Sequence, residues 1–512
     1  MKNNVYPEIV SAVAIAFLLV LLSFIFQANI GINLADEGFL WYGSQRTAIG
    51  EIPLRDFQSY DPGRYYWNAF WFKVFGNDSI MTLRLSCAIF QFIGLTLGVL
   101  ALGKVVHSRL MLVFSGALLL LWMYPRHKLF EFSIAMAAVY FAVLLIEKPT
   151  IKRYLISGIF VGLAAFFGRN HGIYTLISFS IVILYIKLRI DASDFFRRIL
   201  AWSGGILAGY SPMLFMLIFI PGLKEVFFER VFAVFQRGST NLPLPVPWPW
   251  SFDYAHMDAI GRISSFSQGM LFLLLPVLMI SIFIYLLLDK KSMFINKNPV
   301  ILGSVFTGIP YMHYAFARAD IGHLAHSIHP FLIALITIPF LAANKKIKVV
   351  GITIVVAVVI FTFFSLGRYM PFYMKATSSS PYIQVDITGD KIWTDTGTEN
   401  VIKDMRTINE KISTNEKLFI APHLPGFYPI LERKSPVHDI YILFPEKDIR
   451  KQEQMIKDLK DVRWTILGDI ALDGREELRF KNTHKLVWEY IMSNYKPIST
   501  EGLPQNYQIF HR

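Results

Sequence analysis

The sequence has a single cysteine in 512 residues, and this residue, Cys87, lies inside an apolar run. A chain with one cysteine can form neither an intrachain disulfide nor a thiolate metal cluster, which excludes a small disulfide scaffold. Charged residues are also scarce, at 17% of the chain, whereas soluble domains carry roughly 25%. Hydrophobic residues make up 54%, and the mean hydropathy is +0.44. This composition excludes a disordered or fibrous chain and predicts an integral membrane protein.

The net charge of +13 is unevenly distributed along the chain. Residues 368–512 carry 21 lysines and arginines against 20 aspartates and glutamates, whereas the preceding, apolar part carries 29 against 17. A positive excess can indicate nucleic-acid binding. Here, however, the excess falls between apolar segments, where the preference of basic loops for the cytoplasm explains it. Membrane lipids are therefore expected partners, and nucleic acid is not.

The chain contains eleven apolar stretches that approach the roughly 20 residues needed to cross the hydrocarbon core as a helix. The first stretch has a polar exit and lacks a small-residue cleavage site, so we interpret it as a retained span rather than a signal peptide. The predicted spans are Ile9–Gln27, Met81–Gly103, Leu110–Met123, Leu129–Ile146, Tyr154–Gly168, Gly172–Ile186, Ile199–Ile220, Gly269–Leu288, Val300–Ala315, Ala325–Ala342 and Val349–Leu366.

Basic residues cluster in alternate connections between these spans. Because such loops stay in the cytoplasm, Met1 is predicted to be cytoplasmic in a multi-pass cell membrane protein. The odd number of spans then predicts three long outer segments, residues 28–80, 221–268 and 367–512; the last would be periplasmic in a Gram-negative cell. The basic connections contain Lys104 and Arg109; Lys148, Lys152 and Arg153; Lys187, Arg189, Arg197 and Arg198; Lys290, Lys291 and Lys297; Lys345, Lys346 and Lys348.

The C-terminal segment has the composition and periodicity of a soluble domain. Short apolar runs predict strands at Lys417–Ala421 and Trp464–Leu467, and helical periodicity appears at Glu399–Ile412 and Lys447–Leu459. The predicted fold class is therefore mainly α. A polytopic membrane helical bundle over residues 1–366 would be followed by a small extracytoplasmic α/β domain over residues 367–512.

Four of the six carboxylates in the first outer loop are candidate site residues. They are Asp36, Glu37, Asp56 and Asp61. Neighbouring carboxylates suit an acceptor that must lose a proton, because one can act as general base while another orients it, holds a metal or binds sugar hydroxyls. They could equally be solvated loop charges or caps of short interfacial helices. Spacing alone leaves both interpretations open.

The complete order of motifs in this loop resembles the first extracytoplasmic loop of the GT-C glycosyltransferases that use polyprenyl-phosphate sugars. Protein O-mannosyltransferases and the bacterial transferase that adds aminoarabinose to lipid A belong to this superfamily. The resemblance covers the first ~100 residues well and the rest by topology. The motifs are Asp36-Glu37, the segment G-E-I-P-L-R-D-F at Gly50–Phe57, and Phe75-Gly76 followed by Arg84.

The resemblance implies that Asp36 is the catalytic base and Glu37 its partner. Asp56 would then contact substrate. The string Asp61-Pro62-Gly63-Arg64 departs from the superfamily's pattern, and we assign Asp61, Arg64 and the adjacent Tyr65 to substrate binding.

Two charged segments interrupt apolar runs on the predicted outer side. They are R-N-H-G at Arg169–Gly172 and R-A-D-I-G-H at Arg318–His323. A charge near the membrane is costly without a partner, and guanidinium groups match phosphate oxygens with two parallel hydrogen bonds. Arg169, His171, Arg318 and His323 are therefore predicted to bind the donor's phosphate, with Asp320 contacting substrate. The alternative is an ion pair within the bundle, such as Arg318 with Asp320.

Four histidines recur near the second of these segments: His313, His323, His326 and His329. Together with Glu37, His323 and His326 could hold a divalent metal. No H-x-x-x-H signature supports this, and histidines hydrogen-bonded within the protein are the alternative. No other cofactor is expected.

The resemblance implies a glycosyltransferase that moves a sugar, with inversion, from a polyprenyl-phosphate donor to a lipid or glycan acceptor at the outer face. Two alternatives remain. An O-antigen-ligase-like or polymerase-like enzyme would use a diphosphate-linked glycan and carry a central loop rich in Arg and His. A lipid flippase or transporter would show similar halves and broken helices at mid-membrane. Neither the sugar nor the acceptor can be read from the sequence.

Overall fold

The structure, a computed structural model, describes residues 5–238, 242–288, 298–498 and 507–512. The predicted basic connection with Lys290, Lys291 and Lys297 lies outside the described residues, as do residues 239–241 of the central outer segment.

Helices dominate the first 366 residues. Five of them begin directly after a residue whose side chain accepts a backbone N–H of the first turn, which satisfies a donor that the helix itself leaves unpaired. The helices are α1 Val5–Gln27, α2 Asp36–Ala48, α3 Pro62–Phe75, α4 Ile80–Gly103, α5 Arg109–Leu121, α6 Leu129–Glu147, α7 Ile151–Phe167, α8 Arg169–Arg189, α9 Phe195–Phe219, α10 Leu223–Arg237, α11 Ala259–Leu288, α12 Pro299–Ala317, α13 Ile321–Leu341 and α14 Lys345–Leu366.

Every predicted span coincides with a helix of the structure, which confirms the mainly α, multi-span architecture. Among the described residues, nine helices are long and apolar enough to cross a membrane: α1, α4, α6, α8, α9, α11, α12, α13 and α14. The other two predicted spans are shorter. Helix α5 has 13 residues and α7 has 17, close to the short stretches predicted at these positions and below the roughly 20 residues that a typical span needs.

The short helix α7 packs closely against α9. Two glycines on each helix form the seam: Gly158 and Gly162 on α7, and Gly205 and Gly209 on α9. A Cβ atom at any of the four would collide with a backbone carbonyl oxygen of the other helix. Only glycine permits this approach of two backbones, as is common at helix contacts inside membranes.

The chain divides into two compact units. Unit one comprises Met1–Phe26 and Cys87–Tyr373, and unit two comprises Gln27–Ser86 and Met374–Arg512. The first outer loop, with helices α2 and α3, is thus grouped with the C-terminal residues rather than with the bundle. The division at residue 366, which was drawn from composition, stays a prediction.

The C-terminal part of unit two contains the predicted α/β elements. The strand at Lys417–Ala421 is confirmed, the second predicted strand extends to Val462–Gly468, and both predicted helices are present. Helix α15, Pro371–Thr377, contains the boundary between the units. The elements that follow it are β1 Tyr382–Ile387, β2 Asp390–Asp395, α16 Thr396–Glu410, β3 Lys417–Ala421, α17 Phe427–Ile430, α18 Ile449–Asp458, β4 Val462–Gly468, α19 Phe480–Thr483, α20 Lys485–Asn494, β5 Lys496–Ile498 and β6 Tyr507–His511.

These strands form two sheets. Strands β1 and β2 make an antiparallel hairpin, while the second sheet has the order β3-β4-β6-β5 with β3 and β4 parallel. A parallel pair needs a crossover connection, which α18 supplies. Phe419, Leu467 and Phe510 from the sheet pack with Val487 and Ile491 of α20 into one buried core. The carboxyl end of β3 leads directly into the loop that carries part of the candidate site.

Candidate active site

The acidic pair of the first outer loop lies in the first turn of α2, in unit two. The side-chain oxygen Oδ1 of Asn33 accepts hydrogen bonds from the backbone N–H groups of Ala35, at 3.0 Å, and Asp36, at 2.8 Å. In return, Glu37 Oε2 accepts the backbone N–H of Asn33 at 3.2 Å. This reciprocal capping fixes the start of the helix, where the positive end of the helix dipole favours carboxylates.

Glu37 forms a buried ion pair with Arg84 of α4. Arg84 Nε lies 2.8 Å from Glu37 Oε1, and Nη2 lies 2.8 Å from Oε2, with about 2–3% of either side chain exposed. Arg84 also donates to the backbone carbonyl oxygens of Ala28, at 2.6 Å, and Gly31, at 2.8 Å. Glu37 therefore fixes the path of the chain into α2. Both oxygens of its carboxylate are bound by Arg84.

Asp36 is half-buried and receives a hydrogen bond from the C-terminal segment of unit two. The hydroxyl of Tyr441 donates to Asp36 Oδ1 at 3.2 Å. The backbone of Tyr441 is held by Gln58, whose Oε1 accepts from the N–H groups of Ile440, at 3.0 Å, and Tyr441, at 2.7 Å. Gln58 Nε2 donates to the Tyr441 carbonyl at 3.0 Å. A tyrosine so fixed holds one carboxylate oxygen in a defined direction.

His423 lies in the loop that follows β3. Its side chain is 9% exposed, and neither ring nitrogen has a hydrogen-bond partner among the described residues. Burial lowers the pKa of His423 below the usual 6.5, and the negative charge of Asp36 opposes part of that shift. Burial therefore favours the neutral form of this imidazole. The loop is docked on the start of α2, because Gly426 N–H donates to the Leu34 carbonyl at 2.9 Å.

The other predicted residues of the first outer loop have local structural contacts. Asp56 pairs with Arg55, at 2.7 Å between Oδ1 and Nε, and accepts the backbone N–H of Ile52 at 2.7 Å. The hydrogen bond from Arg55 lowers the pKa of Asp56 although burial opposes it. Asp56 therefore closes the turn between α2 and α3, and the substrate contact expected of it stays a prediction.

The string that departs from the superfamily pattern forms the beginning of α3. Asp61 directly precedes the helix, and Asp61 and Arg64 are buried. The Arg64 guanidinium lies 4.8 Å from the centroid of the Tyr60 ring. The Tyr65 hydroxyl accepts the backbone N–H of Tyr60 at 3.0 Å, and burial raises the pKa of Tyr65 strongly. These contacts shape the loop between α2 and α3.

The second rim segment lies in unit one, at the beginning of α13. Arg318 Nε donates to Asp320 Oδ2 at 2.9 Å, and Nη1 donates to the Leu242 carbonyl at 2.9 Å. Asp320 Oδ1 accepts the backbone N–H of His323 at 2.9 Å and lies 2.8 Å from its Nδ1. Burial alone would raise the pKa of Asp320, but His323 and Arg318 bring it down to about 2. The ion pair that the sequence left as an alternative is therefore formed.

The first rim segment contributes to a cluster of buried aromatic side chains in unit one. His171 Nδ1 lies 3.1 Å from the Tyr311 hydroxyl, and the His171 ring also contacts Tyr314. The His326 ring packs against Tyr314 at 5.2 Å between centroids. The Arg169 guanidinium lies 5.8 Å from the centroid of Phe227 on α10. This cluster lies among α8, α10, α12 and α13.

The predicted metal site is not assembled by the described residues. No group of three or more His, Cys, Asp or Glu side chains in the described part of the chain is placed to hold a metal ion. Arg84 binds both oxygens of Glu37, and Asp320 binds Nδ1 of His323. The Glu37 carboxylate and the His323 imidazole, which would have to act as metal ligands, thus already bind other side chains. The proposed reaction therefore includes no step on a metal.

Sequence reasoning missed Tyr441, His423 and Gln58. His423 stands in the segment A-P-H-L-P-G, where two prolines and a glycine predict a loop. The position of this histidine, in a loop at the carboxyl end of a predicted strand, was the one signal that could have marked it as a candidate site residue. Nothing in the sequence around Tyr441 or Gln58 indicated a link to the acidic pair.

No protein-family profile matches the chain, and no curated protein matches its sequence. Among solved structures, it is similar to ArnT from Cupriavidus metallidurans bound to undecaprenyl phosphate, with a TM-score of 0.53 and 12% identity over 98% of this chain and 97% of that one. Apo ArnT gives a TM-score of 0.52, with 10% identity over 99% of this chain and 98% of the ArnT chain. The apo oligosaccharyltransferase of Archaeoglobus fulgidus gives a TM-score of 0.51, with 12% identity over 99% of this chain and 76% of the oligosaccharyltransferase chain. Both proteins are GT-C superfamily members, so this chain has the GT-C fold.

Proposed function

We propose that this protein is a membrane glycosyltransferase that transfers a hexose or pentose from a polyprenyl-phosphate donor to a hydroxyl of a lipid or glycan acceptor. The fold supports this, since it is shared with an oligosaccharyltransferase and with a protein bound to undecaprenyl phosphate. The observation that carries the proposal is the half-buried Asp36 carboxylate, fixed in the first turn of α2 by backbone capping and by the Tyr441 hydroxyl.

Asp36 is the general base in this proposal. Its carboxylate takes the proton of the acceptor hydroxyl as the oxygen attacks the anomeric carbon of the sugar. The bond between that carbon and the phosphate oxygen breaks, and polyprenyl phosphate leaves with the bonding electrons. A single displacement inverts the anomeric centre. Glu37 is a positioning residue in this proposal, because its ion pair with Arg84 fixes the backbone that carries Asp36.

The donor phosphate is bound in this proposal by basic groups of unit one, namely Arg169, His171, Arg318 and His323. Asp320 orients two of them, since it binds both Arg318 Nε and His323 Nδ1. An arginine held through Nε keeps a fixed plane, which suits recognition of phosphate oxygens. Negative charge that develops on the leaving phosphate is stabilised by positioned cations of this kind.

The change Asp36→Asn tests the base. The variant keeps the size of the side chain and an oxygen for Tyr441, but it cannot accept the proton. We expect sugar transfer to fall by about a hundredfold or more, the usual contribution of a general base. The assay follows the release of undecaprenyl phosphate from its labelled sugar conjugate by the purified full chain, with an envelope extract as acceptor.

The matched control is Asp56→Asn in the same loop, which removes a carboxylate of similar exposure. We expect this change to reduce transfer only a few-fold. Transfer at the wild-type rate by a folded Asp36→Asn protein would rule out the base. Movement of the lipid across the bilayer without sugar transfer by the wild type would favour the flippase alternative.

We also propose that the N-terminus is cytoplasmic and that unit two lies outside the cytoplasm. Single cysteines at two exposed positions test this orientation: Ser413, after α16, and Ala192, between α8 and α9. An impermeant maleimide should label Ser413→Cys in intact cells and Ala192→Cys only after the membrane is opened. The native Cys87 is buried and should stay unlabelled. The opposite labelling pattern would reverse the orientation.

A further inference from the structure

One of the buried histidines of unit two, His423, lacks a hydrogen-bond partner among the described residues. Both ring nitrogens of His423 are buried, and neither is hydrogen-bonded within the described residues. An unpaired polar group in the interior costs free energy, whereas a leucine or phenylalanine of similar volume would fill the same space without that cost. The folded protein alone therefore gives no reason for an imidazole at this position.

The location of His423 indicates what the imidazole is for. The residue follows the carboxyl end of β3, which is parallel to β4, and loops at the carboxyl ends of parallel strands are where α/β sheets bind ligands. The loop is held against the start of α2, because a Cβ atom on Gly38 would collide with the backbone of Gly426. This close approach keeps His423 near the Asp36 carboxylate.

Tyr441 belongs to the same arrangement. Besides the clamp formed by Gln58, the N–H of the following residue, Ile442, donates to the Pro422 carbonyl at 2.7 Å. The segments that carry Tyr441 and His423 are thus tied together one residue away from each side chain. The two rings lie 6.5 Å apart between centroids, at an interplanar angle of 73°. His423 thus lies beside the tyrosine that hydrogen-bonds Asp36.

We propose that Tyr441 and His423 form the acceptor side of the active site. The Tyr441 hydroxyl is a positioning group that orients the Asp36 carboxylate, and the His423 imidazole hydrogen-bonds a second hydroxyl of the acceptor in the bound complex. Hydrogen bonds of this kind often form only once the substrate is bound. A sugar residue carries a second hydroxyl next to the reacting one, so the acceptor class in this proposal is a glycan or glycolipid. This inference rests on the proposed function.

The two roles predict different kinetic effects. Tyr441→Phe removes one oxygen and leaves the ring that contacts Phe39. We expect its maximal rate to fall about tenfold at an unchanged half-saturating amount of acceptor, because orientation of the base is needed in the transition state. His423→Phe should instead raise the half-saturating amount of acceptor about tenfold, and His423→Asn, which keeps hydrogen-bonding groups, should recover part of the loss.

The measurement uses the full chain, labelled undecaprenyl-phosphate sugar and titrated envelope extract, with binding of undecaprenyl phosphate measured separately. Two variants of unit two serve as matched controls. Tyr495→Phe loses hydroxyl hydrogen bonds to the Leu459 and Val462 carbonyls, and His484→Phe replaces another buried histidine. Neither control should alter transfer once folding is confirmed by thermal unfolding.

Two outcomes would overturn the inference, and they are distinguishable. If the wild type transfers sugar and Asp36→Asn does not, while folded Tyr441→Phe and His423→Phe behave like the controls, the acceptor role fails and the proposed function stands. If the wild type transfers no sugar, the proposed function fails and this inference fails with it. Weaker binding of undecaprenyl phosphate by His423→Phe would also contradict the assignment to the acceptor.

Discussion

Two helix beginnings in this protein, that of α2 in unit two and that of α13 in unit one, carry carboxylates but use them differently. At α13, Asp320 itself binds two nearby groups, the Arg318 guanidinium and the His323 imidazole. At α2, the two acids have different partners. Glu37 forms an ion pair with Arg84, whereas Asp36 accepts a hydrogen bond from the neutral hydroxyl of Tyr441. A carboxylate whose charge is matched by an arginine is a weak base, and the charged form of both partners is favoured. The comparison supports the proposal that Glu37 and Asp320 have structural roles and that Asp36 transfers the proton.

The largest effect is expected from Glu37→Gln. This change leaves the buried Arg84 without its counter-charge, and removing one partner of a buried ion pair typically costs about 3–5 kcal/mol. The free energy of unfolding of the purified protein in mixed micelles would show the loss. Asp36→Asn is the matched control and should cost far less. Equal stability of the two variants would remove the distinction between the neighbouring acids.

An intermediate effect is expected from Arg318→Lys. Lysine keeps the charge but loses the planar geometry that binds Asp320 and phosphate together. If Arg318 binds the donor phosphate, affinity for undecaprenyl phosphate should fall by about 1.5–3 kcal/mol, the contribution of a charge-assisted hydrogen bond. Two results together would show that the beginning of α13 is purely structural. The affinity of Arg318→Lys for undecaprenyl phosphate would be unchanged, and Asp320→Asn would destabilise the protein as much as Arg318→Lys does.

The smallest effect is expected in the stability of the folded protein at low pH. Since the pKa of Asp320 is lowered from 3.8 to about 2 in the folded protein, its charge contributes stability above pH 4 that is lost as the pH falls towards 2. About a third of the side chain is exposed, so solvent screening reduces the contribution to about 1 kcal/mol. The stability of the wild type relative to Asp320→Asn should shrink between pH 5 and pH 2.5. A constant difference would contradict the assignment.

The sequence was sufficient for the eleven predicted spans and for strands β3 and β4, because each depends on a local apolar pattern. Helix α10, inside the segment predicted as an outer loop, was missed. The sequence was also sufficient to single out Asp36 and Glu37. It was not sufficient to separate their roles, since Arg84 lies 47 residues from Glu37 and Tyr441 lies 405 residues from Asp36. Pairings over such distances are set by tertiary packing, which no local pattern reports.

The hairpin of β1 and β2 and the short helices α2 and α3 were missed for another reason. The turn at Thr388-Gly389 has positive φ at both residues, a conformation that favours glycine but that is weakly signalled by threonine. Helices α2 and α3 lie in a loop whose composition mixes polar and aromatic residues without a clear period. In both cases unit two as a whole, rather than the segment, determines the structure.

The glycine seam between α7 and α9 has a consequence for biogenesis. Helix α7 has 17 residues, at the short end of the range that crosses the hydrocarbon core, so its insertion on its own is less favourable than that of the longer helices. Its partner α9 is synthesised two helices later. We expect the nascent α7 to be retained at the insertion machinery until α9 emerges, and a ribosome-bound chain that ends after α8 to leave α7 accessible to water.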